Sequence, residues 1–403
     1  MAAFASTDLL AAAEALLPDA IAMRRTIHQH PEQGLLLPRT QATVLAALET
    51  LPLRTRTGTQ VTSVVADLAG ERGAGRTVLL RGDMDALPMQ EDTGLPFASR
   101  VPGAMHACGH DAHSAMLVGA ARALCARKDS LPGTVVFMSQ PGEEGYHGAR
   151  YMIEDGLLDI ARPEAAFALH ISPNASAGTF VSRPGPLLAS TDTLHATIRG
   201  RGGHAAMPHD TLDPIPVACE IVTALQTFLA RRVPVSDPAV LTIAQINAGS
   251  AHNIVPQTCE MTGTLRTLSE RTRELMRDAF TRIVENIAAA HGLVGEVRME
   301  SGYPVTMNDP RAYDLMRGQA IAMGGEDAWQ VMPAPMMGAE DFAYVLREMP
   351  GAMAFIGVAV DGSDPRTNPP LHNTKMTIDE ATMARGVALH CAAAAKFLEG
   401  GFD

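Results

Sequence analysis

The sequence predicts an α/β protein with a mostly parallel sheet, interrupted by a smaller inserted α+β domain. Its 403 residues exceed the roughly 250–300 at which a single core stops growing, so we expect two domains. Up to about residue 185, and again near the C-terminus, short apolar runs alternate with helical patterns. Residues 187–301 follow a different order, β-α-β-β-α-β, which is typical of a small split-βαβ sandwich.

The first part of the chain carries helical periodicity in four segments. They are Asp8–Gln29, Arg39–Leu51, Ala112–Arg127 and Gly148–Asp155. Four apolar runs, three between these segments and one after the last, are short enough to be strands. They are Val61–Leu68, Thr77–Arg81, Thr134–Met138 and Ala165–His170. Continuous apolar runs of this length, separated by helices, predict parallel strands that are covered on both faces.

The insert and the last part of the chain complete the pattern. The predicted strands of the insert are Thr191–Ile198, Val240–Ile246, Glu260–Leu265 and Glu296–Glu300. Its predicted helices are Pro214–Arg231 and Glu270–Ala290. After them come one apolar strand, Ala352–Val358, and a closing helix, Glu380–Leu398. We therefore predict a larger domain made of residues 1–186 and 302–403, with residues 187–301 inserted into it.

Composition excludes several classes of partner. The formal net charge of −12 argues against nucleic acid, whose binding depends on basic side chains, and against an anionic membrane surface. No run reaches the roughly 18 apolar residues of a membrane span. The segment Met1–Leu17 has no Lys or Arg, so it lacks the basic start of a signal peptide. Five scattered cysteines form no disulfide framework, and we expect a reducing, cytoplasmic location.

The segment from His106 to His113 is the densest source of metal ligands in the chain. Within it, Cys108 as thiolate and His110 as neutral imidazole suit Zn²⁺ and its neighbours in the transition series. The alternative is that Cys108 is a small core residue and His110 supports the start of a helix. The presence of both in one run of histidines, with acidic residues elsewhere, favours a metal site.

Acidic residues follow two of the predicted strands. Glu143 and Glu144 are adjacent, so one can coordinate a metal while the other holds a water; a solvated acidic turn is the alternative. Asp83 can orient a ligand imidazole, with Asp85 as the second choice and a plain turn as the alternative. His170 ends a further strand. Because the carboxyl ends of parallel strands meet at one edge of a sheet, these groups should lie close together.

Ordered motifs along nearly the whole chain carry a family resemblance. They are Arg25–Glu32, Arg81–Pro88, His106–His110, Pro141–Gly145, Gly202–His209, Asn253–Pro256, Gly338–Phe342 and Leu371–Asn373. The chain resembles the hippurate hydrolase, N-acylamino-acid amidohydrolase and auxin-conjugate hydrolase group. That group belongs to the clan of two-metal aminoacylases and carboxypeptidases. The resemblance implies a di-metal peptidase-like catalytic domain with an inserted lid and dimerisation domain.

The resemblance also implies a role for individual residues. The residues that match metal ligands are Cys108, His110, Glu144, His170 and His372. Glu143 matches the general base, and Asp83 matches the carboxylate that orients the site. In the insert, His204 matches the histidine that stabilises the oxyanion, often in the neighbouring subunit's site. Asn253 and Arg266 resemble the pair that holds the substrate carboxylate; a turn-capping Asn and a solvated strand Arg are the alternatives.

The implied activity is metal-dependent cleavage of the amide bond in an N-acyl-amino acid, a small-molecule substrate. Two divalent transition-metal ions per subunit, Zn, Mn, Co or Ni, and a homodimer or dimer-based oligomer are implied with it. A dipeptidase or carboxypeptidase of the same clan is the alternative enzyme. A non-catalytic, metal-dependent binder of acylated amino acids is a second alternative. A structural zinc protein with one closed four-ligand site is a third.

Overall fold

The structure, a computed structural model, describes residues 4–360 and 363–402. The chain forms two compact units that alternate along the sequence. The first contains the chain up to Leu187, then Met307–Ala334 and the part from Asp341 onward. The second contains Leu188–Thr306 and Pro335–Glu340. No described helix is long and apolar enough to cross a membrane.

The elements before residue 189 belong to the first unit, apart from Leu188, with which the second unit begins. The helices are α1 (Ser6–His28), α2 (Pro38–Leu48), α3 (His110–Cys125) and α4 (Gly148–Glu154). The strands are β1 (Arg54–Thr57), β2 (Val64–Ala69), β3 (Thr77–Asp83), β4 (Thr134–Gln140), β5 (Ala165–Ser172), β6 (Phe180–Ser182) and β7 (Gly185–Leu188).

The second unit is built around antiparallel strands and two long helices. Its elements are β8 (Ser190–Arg199), β9 (Gly203–His204), α5 (Pro214–Arg232), β10 (Ala239–Ala248), β11 (Ile254–Val255), β12 (Thr258–Thr267), α6 (Glu270–Ala290) and β13 (Val294–Ser301). The chain then continues through β14 (Thr306–Asn308), α7 (Pro310–Gly324), β15 (Trp329–Val331), α8 (Ala343–Glu348), β16 (Gly351–Gly357) and α9 (Met383–Gly400).

An eight-stranded sheet forms the centre of the first unit, in the order β1-β2-β4-β3-β5-β16-β6-β15. Its middle strands β4, β3, β5 and β16 are all parallel, which confirms the predicted mostly parallel α/β class. Every residue of β3 and of β16 is buried, as expected for strands covered on both faces. Antiparallel pairs occur toward the two edges, at β1–β2, β2–β4 and β16–β6.

A four-stranded antiparallel sheet, in the order β10-β12-β8-β13, forms the centre of the second unit. Burial alternates along β8 and β12, so one face of the sheet carries the apolar side chains. Leu194 and Ile198 from this face pack with Ile221 of α5 and Phe280 of α6 in one core. The other face carries polar side chains. This is the α+β arrangement predicted for the insert, and the boundaries at residues 186 and 301 remain predictions.

Candidate metal centre

The candidate site lies in the first unit, where parallel strands end and α3 begins. Strand β3 ends at Asp83, and β5 carries His170 near its end. The loop after β4 carries Glu143, and α3 starts at His110. Because β3, β4 and β5 run in parallel, their carboxyl ends meet at the same edge of the sheet. The predicted clustering of these side chains is therefore what the structure shows.

Cys108, His110 and His170 form one group of ligand atoms, all within 4.8 Å of one another and all buried. The Cys108 Sγ lies 3.4 Å from His170 Nε2. His170 Nδ1 lies 2.7 Å from the carbonyl oxygen of Ile171 and donates its hydrogen to it. That hydrogen bond leaves the lone pair of Nε2 directed toward the sulfur, the tautomer that a metal-binding histidine needs.

Cys108, Glu144 and His372 form a second group within the same 4.8 Å limit. His372 Nε2 lies 3.2 Å from Glu144 Oε1. The backbone N–H of His372 donates to the carbonyl oxygen of Ala107 at 2.8 Å, which ties this loop to the cysteine segment. Cys108 is common to both groups. Its sulfur therefore stands between two sets of nitrogen and oxygen donors.

Asp85 makes the hydrogen bond that was expected of Asp83. The Nδ1 of His110 lies 3.2 Å from Asp85 Oδ1, which fixes the orientation of the ring. The backbone N–H groups of Glu143 and Glu144 also donate to the two oxygens of Asp85, each at 3.0 Å. Asp85 thus joins His110 to the acidic loop. The Nδ1 of His110 therefore faces Asp85, the second choice, whereas Asp83 Oδ2 lies 3.5 Å from Nε2 of the same ring. The orienting role of Asp83 stays a prediction.

Asp83 is instead part of a buried charged chain. His113 Nδ1 donates to Asp83 Oδ1 at 2.6 Å, and Arg81 Nη1 lies 2.7 Å from Asp83 Oδ2. Arg81 also contacts Asp341 Oδ1 at 3.2 Å, and Asp341 Oδ2 accepts the backbone N–H of Ala149. Burial raises the pKa of Asp83, but Arg81 and the two histidines outweigh it and hold that pKa well below its ordinary value. Asp83 therefore stays ionised, with Oδ2 3.5 Å from His110 Nε2.

Glu143 lies beside these candidate ligands in a buried position, whereas Glu144 is partly exposed. One carboxylate oxygen of Glu143 lies within 4.8 Å of ligand atoms of His110 and Glu144. The chain turns sharply on both sides, because Gly142 and Gly145 have φ values of 70° and 86°. The two side chains therefore differ in burial but bring carboxylate oxygens to one group with His110, and the division of roles between them stays a prediction.

The electrostatics of the site favour a cation. Burial, followed by the charges of Glu144, Glu143 and Asp83, raises the pKa of the Cys108 thiol well above its ordinary value. Burial lowers the pKa of His110, but Asp83 and Asp85 outweigh it and raise that pKa to about 10. His110 Nε2 is buried and has no hydrogen-bond partner within residues 4–360 and 363–402. A soft sulfur, imidazole nitrogens and carboxylates in a negative environment fit a divalent transition metal.

Three of the predicted site residues belong to the second unit. Strand β9 pairs with β11 so that His204 faces Ile254, and the backbone of Ala205 bonds to Asn253. The structure therefore brings His204 and Asn253 together. Arg266 lies on β12, opposite Thr191 and on the polar face of the sheet. It is half-buried, burial lowers its pKa, and no carboxylate pairs with it in the described part of the chain.

Gly109 lies between the two candidate ligands Cys108 and His110, in a conformation that favours glycine. Its φ is 84°, and a Cβ there would lie 2.3 Å from the Cδ1 of Ile171, the residue after His170. We expect Gly109→Ala to lower the free energy of unfolding by roughly 2–4 kcal/mol and to weaken metal binding. The matched control is Gly103→Ala, with φ 72° and open space around a Cβ. If chemical unfolding shows that both variants lose the same free energy of unfolding, the packing of Gly109 against Ile171 is unimportant.

The fold and the clustered ligands define the class, a mostly parallel α/β protein of the dinuclear metallopeptidase type. The chain belongs to peptidase family M20/M25/M40, whose sequence profile matches residues 79–396. The resemblance seen in the sequence motifs is thereby confirmed. The protein is an M20-family hydrolase, a metal-dependent amidase or peptidase, and it carries candidate metal-binding groups.

Individual relatives cover almost the whole chain. N-acetyl-L-cysteine deacetylase of Bacillus subtilis is 40% identical over 366 residues, which is 91% of this chain and 85% of the deacetylase. Thermostable carboxypeptidase 1 of Saccharolobus solfataricus is 37% identical over 381 residues, 94% of this chain and 95% of that protein. The crystal structure of Bacillus subtilis YXEP, a dinuclear metal-binding M20 peptidase, has a TM-score of 0.82 at 33% identity. That match covers 96% of this chain and 99% of YXEP.

Proposed function

We propose that the protein hydrolyses the amide bond of N-acyl-amino acids and releases a carboxylic acid and a free amino acid. The observation that carries this proposal is the buried cluster of Cys108, His110 and His170 with Glu143 beside it. The Bacillus subtilis relative is an N-acetyl-L-cysteine deacetylase, and deacetylation of such a substrate breaks the same type of bond, which supports the proposal.

We propose that two divalent ions, chosen among Zn²⁺, Mn²⁺, Co²⁺ and Ni²⁺, bind at this site. One would be held by Cys108, His110 and His170, and the other by Cys108, Glu144 and His372. The two ligand groups that share one sulfur support this assignment. When bound, the ions supply Lewis acidity, which polarises the amide carbonyl and makes water easier to deprotonate.

The remaining steps belong to side chains of the chain itself. Glu143 would accept a proton from the attacking water as the new C–O bond forms. It would then pass that proton to the amide nitrogen as the C–N bond breaks, so the free amine leaves neutral. Asp85 would hold Glu143 and His110 in fixed positions relative to each other. It accepts hydrogen bonds from the ring of His110 and from the backbone N–H of Glu143. Asp83, held by Arg81 and His113, would maintain negative charge at the site.

The second unit would supply substrate recognition. We propose that His204 donates to the developing oxyanion, a contact typically worth about 3 kcal/mol. Asn253 and Arg266 would bind the carboxylate of the amino acid. The pairing of β9 with β11 and the half-buried, unpaired guanidinium of Arg266 among the described residues support this role. A homodimer in which His204 serves the neighbouring subunit, and a lid formed by residues 187–301, belong to the same proposal.

The test compares substrates on protein that has been stripped of metal and reloaded with each ion separately. N-acetyl, N-benzoyl and indolylacetyl amino acids represent the proposed class, and glycylglycine represents substrates with a free amine. We expect hydrolysis of at least one N-acyl substrate, loss of activity with chelator, and up to two ions per chain. Faster cleavage of dipeptides than of any N-acyl substrate would identify a dipeptidase or carboxypeptidase, the function that the Saccharolobus relative supports.

Two further outcomes would overturn the enzymatic proposal. Stoichiometric metal binding without turnover on the whole panel would indicate a metal-dependent binder of acylated amino acids. A single tightly held ion, resistant to exchange and without effect on any substrate, would indicate a closed structural site.

A further inference from the structure

The C-terminal end of α1 carries a charged motif that the proposed reaction does not use. Arg24 and His28 lie one helical turn apart and both reach Asp111, the residue that follows the ligand His110 in α3. Arg24 Nε and His28 Nδ1 lie 3.0 and 2.8 Å from Asp111 Oδ2. All three side chains are almost completely buried, with relative exposures of 3%, 1% and 0%.

This cluster, which we call the Asp111 anchor (Arg24, His28 and Asp111), connects to two other segments. His28 Nε2 lies 3.2 Å from Glu91, whose second oxygen accepts the backbone N–H of Ser99 at 2.6 Å. Arg24 Nη1 lies 2.7 Å from Glu380, just before α9. Asp111 is therefore bound, through buried charge pairs, to α1, to the 91–99 loop and to the start of the last helix.

We propose that Arg24 and His28 are positioning residues for the metal centre, acting through Asp111 on the first turn of α3. Successive residues of a helix point about 100° apart, so Asp111 faces α1 while His110 faces the ligand groups. A roll of this turn by about 10° would move a ring nitrogen about 6 Å from the helix axis by about 1 Å. A ligand set must be held within about 0.5 Å of its working geometry. The anchor therefore fixes the position of the His110 ring, to which metal affinity is sensitive.

The inference rests on the proposed role of Cys108 and His110 as metal ligands. Arg24 and His28, more than eighty residues earlier in the chain, would set the positions of Cys108 and His110. A purely structural role would lower the stability of the fold without a specific effect on metal affinity. A positioning role lowers metal affinity in protein that remains folded.

The chain offers a matched pair of variants, Arg24→Gln and Arg25→Gln. Both arginines pair with Glu380, Arg25 at 2.5 Å, but only Arg24 reaches Asp111. We expect Arg24→Gln to lower the affinity for Zn²⁺ and Co²⁺ by about 10-fold, the lower end of the range typical for loss of a group bonded directly to a ligand, because Arg24 acts through Asp111. Arg25→Gln should change that affinity by less than about twofold. The measurement is competition with a chelator, on protein shown to be folded by circular dichroism.

The cobalt-loaded protein supplies a readout that does not depend on activity. Cys108 should give a sulfur-to-cobalt charge-transfer band, and its position or intensity should change in Arg24→Gln but not in Arg25→Gln. His28→Asn, which removes the smaller cation of the anchor, should show the same change to a lesser degree. It serves as the test if Arg24→Gln does not fold, and Arg24→Lys should restore part of the affinity.

The outcomes separate the two proposals. If the unmodified protein binds neither Zn²⁺ nor Co²⁺, the proposed metal centre fails. If the unmodified protein binds them and the folded Arg24→Gln or His28→Asn variant binds equally well with the same spectrum, the anchor proposal is overturned and the metal centre stands. An equal loss of affinity in Arg24→Gln and Arg25→Gln also overturns it, because the effect would then run through Glu380.

Discussion

Replacing Glu143 with glutamine is expected to lower turnover of an N-acyl-amino acid by about 10³-fold while metal binding is retained. Glutamine keeps the shape of the side chain but cannot accept the proton of the attacking water, and general acid–base catalysis typically contributes 10²–10⁴-fold. A loss of 10³ corresponds to about 4 kcal/mol of transition-state stabilisation. The proposed ligands remain, because the backbone N–H of Glu143 still bonds to Asp85. Steady-state kinetics and metal analysis on the same sample test both statements.

Glu154→Gln is the control for this substitution. Glu154 is exposed at the end of α4 and pairs only loosely with Arg150, at 3.5 Å, so its replacement should leave turnover within about twofold. Near-normal turnover of Glu143→Gln with metal bound would exclude Glu143 as the base. Loss of metal together with activity would instead make Glu143 a ligand, and the division of labour between Glu143 and Glu144 would have to be reversed.

The sequence indicated some candidate ligands directly and others only through the resemblance. Cys108 and His110 were proposed as ligands because a thiol and an imidazole stand together in one run of histidines, with acidic residues available elsewhere in the chain. His170 and His372 are single histidines at a strand end and in a loop, and nothing local separates them from ordinary ones. They join the site because β5 runs parallel to β3 and because the His372 backbone bonds to Ala107. Such contacts between distant segments are not encoded in any local pattern.

The choice between Asp83 and Asp85 illustrates the limit of local patterns more sharply. The two residues are separated by one position at the end of an extended strand, so their side chains point toward the same side. Which of them meets the ring of His110 depends on where α3 begins relative to β3, a tertiary relation. The neighbouring Arg81 also contributes, because its guanidinium pairs with Asp83, while Asp85 is the carboxylate that meets Nδ1 of His110.

The central strands were predictable because they are apolar and buried on both faces, whereas the edges of the sheet were not. Strand β1 reads Arg-Thr-Arg-Thr with every residue exposed, so it has no hydrophobic pattern and forms only by pairing with β2. Strands β6 and β15 have three residues each, too few for a period to be recognised. The position of β16 between β5 and β6 follows from long-range pairing alone.

Replacing Cys108 with serine is expected to weaken the binding of both ions, and not of one alone. Cys108 belongs to both ligand groups, and its Sγ lies 3.4 Å from His170 Nε2. A serine hydroxyl is harder than a thiolate and far less acidic, so it is a poor ligand for Zn²⁺ and its neighbours. Loss of a supporting group costs 10–100-fold in affinity, so removal of a shared ligand should cost at least about 100-fold at each ion. Titration of both ions by calorimetry measures this.

Cys391→Ser controls for the change from sulfur to oxygen in a buried place. Cys391 is as buried as Cys108, but its Sγ contacts the carbonyl oxygen of Ala120 in α3, at 3.7 Å. The Cys391→Ser variant should bind both ions with unchanged affinity, even if the free energy of unfolding falls slightly. If Cys108→Ser loses one ion and keeps the other at full affinity, the sulfur serves a single metal. The two ions would then be held by separate ligand sets, and the shared role proposed for Cys108 would be wrong.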